Sequence, residues 1–320
     1  METKNNLEQV CRRFLDQDFD GILVACHRNP DGDATGSAFS LAYALRKLGK
    51  KAKVFCPDPF GSEFRYITKA EEEIPSFEPR FFVTVDVAAP EMLCDASFTD
   101  RIDVVLDHHR INTVSAPLKA VLPERASCGE IILEVILGLG LEPDEYLASA
   151  LYTAIATDTG CFRYSNVTEE TFRAAALLSR FGEKGAFYRI NKDLFETKSR
   201  QRLALEAYAV DRMQFAAGGK IAYLSVSHAE QEKLGAAYEE LDVLINVIRQ
   251  VEGVEVSLVA KERGKEEFKV SVRSEKGFDA SEFCRHFGGG GHIAAAGCTL
   301  NGNEKEVMGA LLALAERSFS

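Results

Sequence analysis

Short apolar runs alternate with longer amphipathic stretches through the first half of the chain. GILVAC (21–26), KAKVFC (51–56), FFVTVD (81–86) and IDVVLD (102–107) have the length and apolar density of buried strands. Between and before them lie stretches of helical character. Residues 5–18 read as an opening helix. SAFSLAYALRKLG (37–49) has amphipathic spacing and stops at Gly49, and weaker helices are expected near 62–70 and 90–96. Strands alternating with helices predict an α/β fold, a mostly parallel sheet with helices on both faces. Further on, SCGEIILEVILGLG (127–140) opens with Ser127 and Glu130 at capping-box spacing. A helix over 144–160 breaks at TDTG, and helical patterns continue through 168–210.

The second half follows another pattern. MQFAAGGKIAYLSV (213–226) predicts a hairpin turning at Gly218-Gly219, and 254–274 a second one turning near Gly264. Helices are expected near 238–249, 279–286 and 303–317, with the loop FGGGGH (287–292) running into a short helix, HIAAAG. This reads as a smaller mixed-sheet α/β domain. A chain of 320 residues is long for one hydrophobic core. The expected division is a catalytic metal-binding domain over 1–183, a helical linker over 184–204 and a second domain over 205–320.

Three of the predicted strands run into metal-binding residue types. Strand 21–26 precedes His27, Asp31 and Asp33; strand 81–86 ends in Asp86; strand 102–107 ends in Asp107, followed by His108 and His109. Open α/β sheets bind ligands at the carboxyl ends of their strands, so the clusters are expected to converge. A lone Asp after a strand is usually a turn or cap residue, and Asp31 or Asp33 alone fits a cap for a helix starting near Ala34. Capping does not account for three strand ends in a row, nor for three of the chain's six histidines falling there. Carboxylate with imidazole suits Mn²⁺ first, with Mg²⁺ or Co²⁺ as alternatives. The ligands outnumber the needs of one ion and suggest a hydrolytic pair.

Composition narrows the picture. The net charge of −11 and the lack of a Lys/Arg run argue against a long nucleic-acid track. None of the eight cysteines forms a C-x-x-C pair, which argues against a zinc ribbon or a redox motif and fits a reducing compartment. METKNNLEQV lacks a signal-peptide core, and no apolar stretch approaches the ~20 residues of a membrane span. The expected location is cytoplasmic, with no membrane partner; a homodimer is left open.

HRNPDGD, FVTVD, LDHH and TDTG, in that order, resemble the four motifs of the DHH phosphoesterase superfamily. VSVRS (270–274) and GGGGHIAAAG (288–297) resemble its associated DHHA1 domain. The resemblance spans nearly the whole chain, and the two-domain layout is similar to the nanoRNase/pAp phosphatase subgroup. It implies that His27 and Asp31 hold a first metal, that Asp33, His108 and Asp158 hold a second, and that Asp86 bridges them. It further implies that His109 contacts the scissile phosphate or assists the leaving oxygen, with Asp107 orienting a neighbouring His. The implied reactions are hydrolysis of short oligoribonucleotides to 5′-mononucleotides and removal of the 3′-phosphate of 3′-phosphoadenosine 5′-phosphate (pAp).

In the second half, Gly289, Gly290, Gly291 and His292 at an expected helix start, with Arg273, are expected to bind a terminal phosphate. Alone, the glycines would read as a plain turn and Arg273 as a surface residue. Phe287 is expected to be a core anchor, with base stacking the other reading; Arg163 and Tyr164 carry the same ambiguity. Arg285 and His286 read as structural or surface residues. A rival reading is a cyclic-di-AMP or linear-dinucleotide phosphodiesterase. A pyrophosphatase fits less well, because such enzymes lack a comparable GGGGH loop. From another class comes a non-catalytic nucleotide-binding regulator, which the intact ligand set disfavours.

Overall fold

The computed structural model describes residues 2–71, 74–94, 96–275 and 277–319. The chain divides into two compact units, Met1–Thr197 and Lys198–Ser320.

In the first unit, the opening helix α1 (Glu2–Leu15) precedes β1 (Ile22–Ala25), α2 (Gly32–Lys47), β2 (Ala52–Phe55), α3 (Arg65–Thr68), β3 (Phe81–Val85), β4 (Val104–Asp107) and β5 (Leu118–Val121). Four helices follow: α4 (Cys128–Gly138), α5 (Glu145–Asp158), α6 (Glu169–Leu178) and α7 (Ala186–Asn191). The five strands are all parallel, in the order β2-β1-β3-β4-β5. The order reverses between β1 and β3, so a crevice opens at their carboxyl ends.

Ile22, Val24, Val83, Val85, Val104 and Leu106 face a large core built with α1, α2, α4 and α5. Leu23, Ala25, Phe82 and Val105 face a smaller one with Leu93, Phe98 and Val114. That second face is covered by 3₁₀ turns, Pro90–Leu93 and Thr99–Arg101, where the sequence suggested a short helix near 90–96. Each fully buried Val, Leu or Phe contributes about 1.5–3 kcal/mol, so the two-sided burial explains the continuous apolar runs.

Helix α2 begins at Gly32, five residues before the expected start. The Asp31 side chain caps it, accepting from the Ala34 N–H at 2.9 Å. The glycines that made 27–36 look like loop serve close packing instead. A Cβ at Gly36 would sit 2.3 Å from the Ala150 oxygen and 2.9 Å from the Ala154 Cβ of α5. A Cβ at Gly129 would sit 2.6 Å from the same Ala154 Cβ. α2, α4 and α5 therefore meet almost backbone to backbone. Strand β5 was not anticipated, because Lys119 interrupts a short run between prolines.

The second unit contains α8 (Arg200–Arg212), β6 (Gln214–Ala216), β7 (Ile221–Val226), α9 (His228–Leu234), α10 (Val243–Ile248), β8 (Val256–Gly264) and β9 (Glu267–Ser274). Then come α11 (Ala280–Arg285), β10 (Gly290–His292), β11 (Ala295–Asn301) and α12 (Glu304–Ala315). Its mixed sheet runs β10-β11-β9-β8-β7-β6, with only β7 and β8 parallel. α11 and α12 cover one face over Val256, Leu258, Val270 and Val272. α8 and α10 cover part of the other over Ala222, Leu224 and Val259. Helix α9 was missed for want of an apolar run, although its capping box, Ser227 with Glu230, was readable.

HIAAAG forms no helix. His292 ends β10 and Ala295 begins β11, which pairs along β9. Gly291 has φ +146°, a conformation reserved for glycine, and a Cβ there would meet the Ala295 oxygen at 2.6 Å. The small residues let two strands press together, a use that composition does not separate from a helical alanine run.

Candidate metal centre

Segments from five parts of the first unit converge at the carboxyl end of the sheet. β1 leads into His27, the N-terminus of α2 carries Asp31 and Asp33, β3 leads into Asp86, β4 leads into Asp107 to His109, and α5 ends at Asp158. Asp86 adopts φ +58°, a left-handed conformation that costs of order 1 kcal/mol in a non-glycine residue. Its carboxylate lies between two imidazoles: Oδ2 is 3.5 Å from His27 Nε2, and Oδ1 is 3.5 Å from His108 Nε2.

Around the first imidazole, Asp31 Oδ1 lies 3.8 Å from His27 Nε2. Around the second, Asp158 Oδ2 and Asp33 Oδ2 lie 3.3 and 3.7 Å from His108 Nε2. Donor atoms of His27, Asp31 and Asp86 lie within 4.8 Å of one another, as do those of Asp33, His108 and Asp158, and those of Asp86, His108 and His109.

The imidazoles are oriented alike. His27 Nδ1 donates to the Arg28 carbonyl at 2.7 Å, and His108 Nδ1 faces the Arg125 carbonyl at 3.4 Å. His109 Nδ1 donates to Asp107 Oδ1 at 2.8 Å. A carbonyl or carboxylate only accepts, so Nδ1 carries the proton and Nε2 is the nitrogen offered outward. Asp107 is fully buried; Oδ1 also accepts the His108 N–H at 2.8 Å, and Oδ2 accepts from Asn112 Nδ2 at 2.6 Å.

Asp33 has a second task that its sequence position does not reveal. Its oxygens accept the N–H groups of Cys128 and Gly129, at 2.6 and 2.8 Å, and the Ser37 hydroxyl at 3.0 Å. It thus fastens the N-terminus of α4, whose dipole favours the negative charge. Asn112, Ser37 and the amides at 128–129 were absent from the sequence expectation. Asn166, also missed, holds the end of α5 by donating to the Asp158 carbonyl at 3.0 Å and the Ala126 carbonyl at 3.1 Å.

The electrostatics call for a cation. Burial pushes Asp33 well above the ordinary carboxylate range and Asp158 up to about 6, with the charge of Asp86 adding to both. Burial pushes the His27 and His108 imidazoles down, but the neighbouring carboxylates, Asp86 foremost, outweigh it and raise them to about 9 and 10. Burial would raise Asp86 too; its contacts with His108 and His27 hold it below the usual range. Asp86 Oδ1 is buried and has no hydrogen-bond partner, a costly state unless another positive group faces it. Donor atoms 3.3–3.8 Å apart match ligands that each stand ~2.1 Å from a shared ion. The oxygen and nitrogen donors, with no thiolate among them, fit divalent metal ions.

In the second unit, strand pairing places two sequence-predicted residues on one face. His292 pairs with Ala295, and Ala295 pairs with Arg273, so the imidazole and guanidinium flank a small floor. His292 is exposed, and no acidic partner of Arg273 is found among the described residues. The expected helix N-terminus at Gly289–His292 is absent, which removes the dipole contribution. Gly290 and Gly291 lie in β10, while Gly289 packs against the Gly297 oxygen and Cys298. Phe287 packs against the core beside Phe283.

The chain matches the family described as the DHH family, N-terminal domain, over residues 21–155, and the DHHA1 domain over residues 218–320. The bifunctional oligoribonuclease and PAP phosphatase NrnA of Thermus thermophilus is 33% identical over 285 residues, spanning 88% of this chain and 84% of that protein. An exopolyphosphatase-related protein from Bacteroides fragilis has the same fold, with a TM-score of 0.86 at 23% identity, covering 99% of this chain and 98% of that one. The exonuclease RecJ bound to manganese shares the fold at a TM-score of 0.54 and 16% identity, covering 98% and 94%. Among the described residues, no helix is long and apolar enough to cross a membrane.

Proposed function

This chain belongs to the DHH family and carries a DHHA1 domain, and from that premise we propose that it hydrolyses short oligoribonucleotides to 5′-mononucleotides and removes the 3′-phosphate of pAp. The observation that carries the reading is Asp86, which turns one carboxylate oxygen toward His27 and the other toward His108. The activities named for the Thermus relative support the choice of substrate.

In this reading His27 and Asp31 would hold one cation, Asp33, His108 and Asp158 would hold the other, and Asp86 would serve both. Two divalent ions, Mn²⁺ first and Mg²⁺ or Co²⁺ as alternatives, would supply a nucleophile from water at neutral pH and neutralise charge on the phosphoryl group. His109 keeps Nε2 free to donate to a phosphoryl oxygen or to protonate the departing 3′-oxygen. Asp107 orients His109 through Nδ1 and favours its charged form, since this contact, against a smaller effect of burial, raises the imidazole above its ordinary value. Asp33, tied to the N-terminus of α4, keeps the second lone pair of Oδ2 for a cation without needing to move, Oδ1 being taken by Gly129 and Ser37. Arg273 and His292 bind the phosphate of a substrate end, the guanidinium by a bidentate contact. Gly290 beside them, with nothing within 4 Å of where a Cβ would stand, leaves room for a ribose or phosphate to approach.

A panel of pAp, a dinucleotide and a long single strand, each with Mn²⁺, tests the reading. AMP should appear from pAp and mononucleotides from the dimer, with chelator stopping both. No turnover with any divalent metal would overturn the enzyme assignment. Equal turnover of the long strand and the dimer would overturn the short-substrate part.

A further inference from the structure

Beside the metal centre lies a pair of thiols that the mechanism does not use. β1 and β2 are parallel neighbours with Ala25 opposite Phe55, so the next residues, Cys26 and Cys56, are cross-strand partners. The ladder continues to this point, with the Cys26 N–H donating to the Phe55 carbonyl at 3.0 Å. Both side chains turn to the helix-covered face and pack in the same core. The Cys26 thiol reaches across the strand pair, donating to the carbonyl of Phe55, the residue before Cys56, at 3.7 Å. Cys26 is fully buried, whereas Cys56 is partly exposed and reachable by a small reagent. Parallel neighbours stand about 4.8 Å apart, within the Cα separations that a disulfide spans.

This pair is wired to the site. Cys56 Sγ donates to the His27 carbonyl at 3.2 Å. Two residues further on, Asp58 Oδ2 accepts the Asn29 N–H at 2.9 Å, in the loop between His27 and Asp31. A shift of the β2 end toward β1 therefore acts at the start and the middle of the first cation's ligand loop.

We propose that Cys26 and Cys56 are an oxidisable dithiol whose closure to a disulfide shuts the metal centre. With a hydroperoxide as oxidant, Cys56 Sγ attacks the terminal oxygen, the O–O bond breaks, and Cys56 becomes a sulfenic acid as water or an alcohol departs. Cys26 Sγ then attacks Cys56 Sγ; the S–S bond forms, the S–O bond breaks, and the leaving hydroxide takes the Cys26 proton as water. Two thiols are oxidised to one disulfide and the peroxide is reduced. Closure removes the S–H donor from the His27 carbonyl and draws the strand ends together. Displacing a ligand loop by about 1 Å costs on the order of 10²-fold in rate.

The shut-off rests on the metal-centre reading, so the test separates the two. The full-length protein is treated with hydrogen peroxide, quenched, returned to fresh Mn²⁺, and assayed for turnover of pAp and for Mn²⁺ binding. Peptide mapping distinguishes the Cys26–Cys56 link from one between Cys284 and Cys298, two buried thiols of one core in the second unit. The expected result is a Cys26–Cys56 linked peptide and turnover lower by about 10²-fold, both reversed by dithiothreitol. Cys56→Ser keeps a donor for the His27 carbonyl and should retain basal activity while resisting peroxide. Cys26→Ala serves if that variant does not fold. Peroxide loss without the linked peptide, a linked protein of full activity, or a Cys56→Ser variant as sensitive as wild type would each overturn the proposal. Reduced protein that binds no Mn²⁺ would overturn the metal centre and the shut-off with it.

Discussion

Gly36→Ala should harm catalysis more than stability. In the wild type, α2 crosses α5 so closely that the new Cβ would meet the Ala150 oxygen at 2.3 Å and the Ala154 Cβ at 2.9 Å. Ordinary contact begins near 3.4 Å, so the helices must part by about 1 Å, since packed interiors have no slack to absorb it. Overpacking of this kind costs about 1–3 kcal/mol. Replacing glycine by alanine inside a helix returns about 1 kcal/mol, leaving a net loss of at most about 2 kcal/mol. The same movement separates Asp33 on α2 from Asp158 at the end of α5, both within 3.7 Å of His108 Nε2. A misplacement of about 1 Å there should lower turnover by about 10²-fold. Urea unfolding and Mn²⁺-dependent turnover of pAp, measured on one preparation, give the two quantities. Gly309→Ala in α12, where nothing lies within 4 Å of the added methyl, is the control and should be slightly stabilised with unchanged turnover. If Gly36→Ala kept full turnover and Mn²⁺ affinity, the spacing of α2 and α5 would not set the site's geometry.

Asp86→Asn should abolish turnover and weaken Mn²⁺ binding while the protein still folds, because the amide keeps the volume and loses the charge shared by both imidazoles; circular dichroism with metal titration checks this, and a variant with near-normal turnover would remove Asp86 from the bridge. Metal binding should release protons. Without metal, His27 and His108 titrate at about 9 and 10, so both are charged at neutral pH, and a cation must displace those protons to reach Nε2. Apparent Mn²⁺ affinity should therefore rise from pH 7 to 9, by up to about tenfold per pH unit for each proton displaced; calorimetry in buffers of different ionisation enthalpy measures it, and affinity flat across that range would contradict the assignment of Nε2. Arg273→Ala should raise KM for pAp with a smaller change in kcat, read from steady-state kinetics; an unfolded variant would show its role to be structural.

Much of the first unit could be read from the chain because its code is local. Apolar runs of strand length, each followed by a His or Asp, record both the burial of a parallel strand and the position of its carboxyl end. The strand ends carrying His27, Asp86 and Asp107 to His109 follow from that pattern and from the order in which parallel strands assemble. Glycine and alanine carried no such local code. Gly32 and Gly36 looked like loop but lie in a helix, and HIAAAG looked like helix but bends between two strands. A small residue permits close approach, and only the neighbouring segment determines what approaches.

The sequence alone determined which chemistry is present: imidazoles and carboxylates at strand ends, in an order shared with one family. Tertiary packing decided how that chemistry is aimed. Asp86 faces His27 with one oxygen and His108 with the other because β3 lies between β1 and β4 and its chain then turns through a left-handed residue. Asp33 is held by amides 95 and 96 residues away because glycines let three helices touch. Cys26 meets Cys56 because β1 and β2, distant in the chain, lie side by side in register. Periodicity reports the forces acting within a segment, whereas these contacts arise between segments, where shape and spacing choose among many pairings of similar composition.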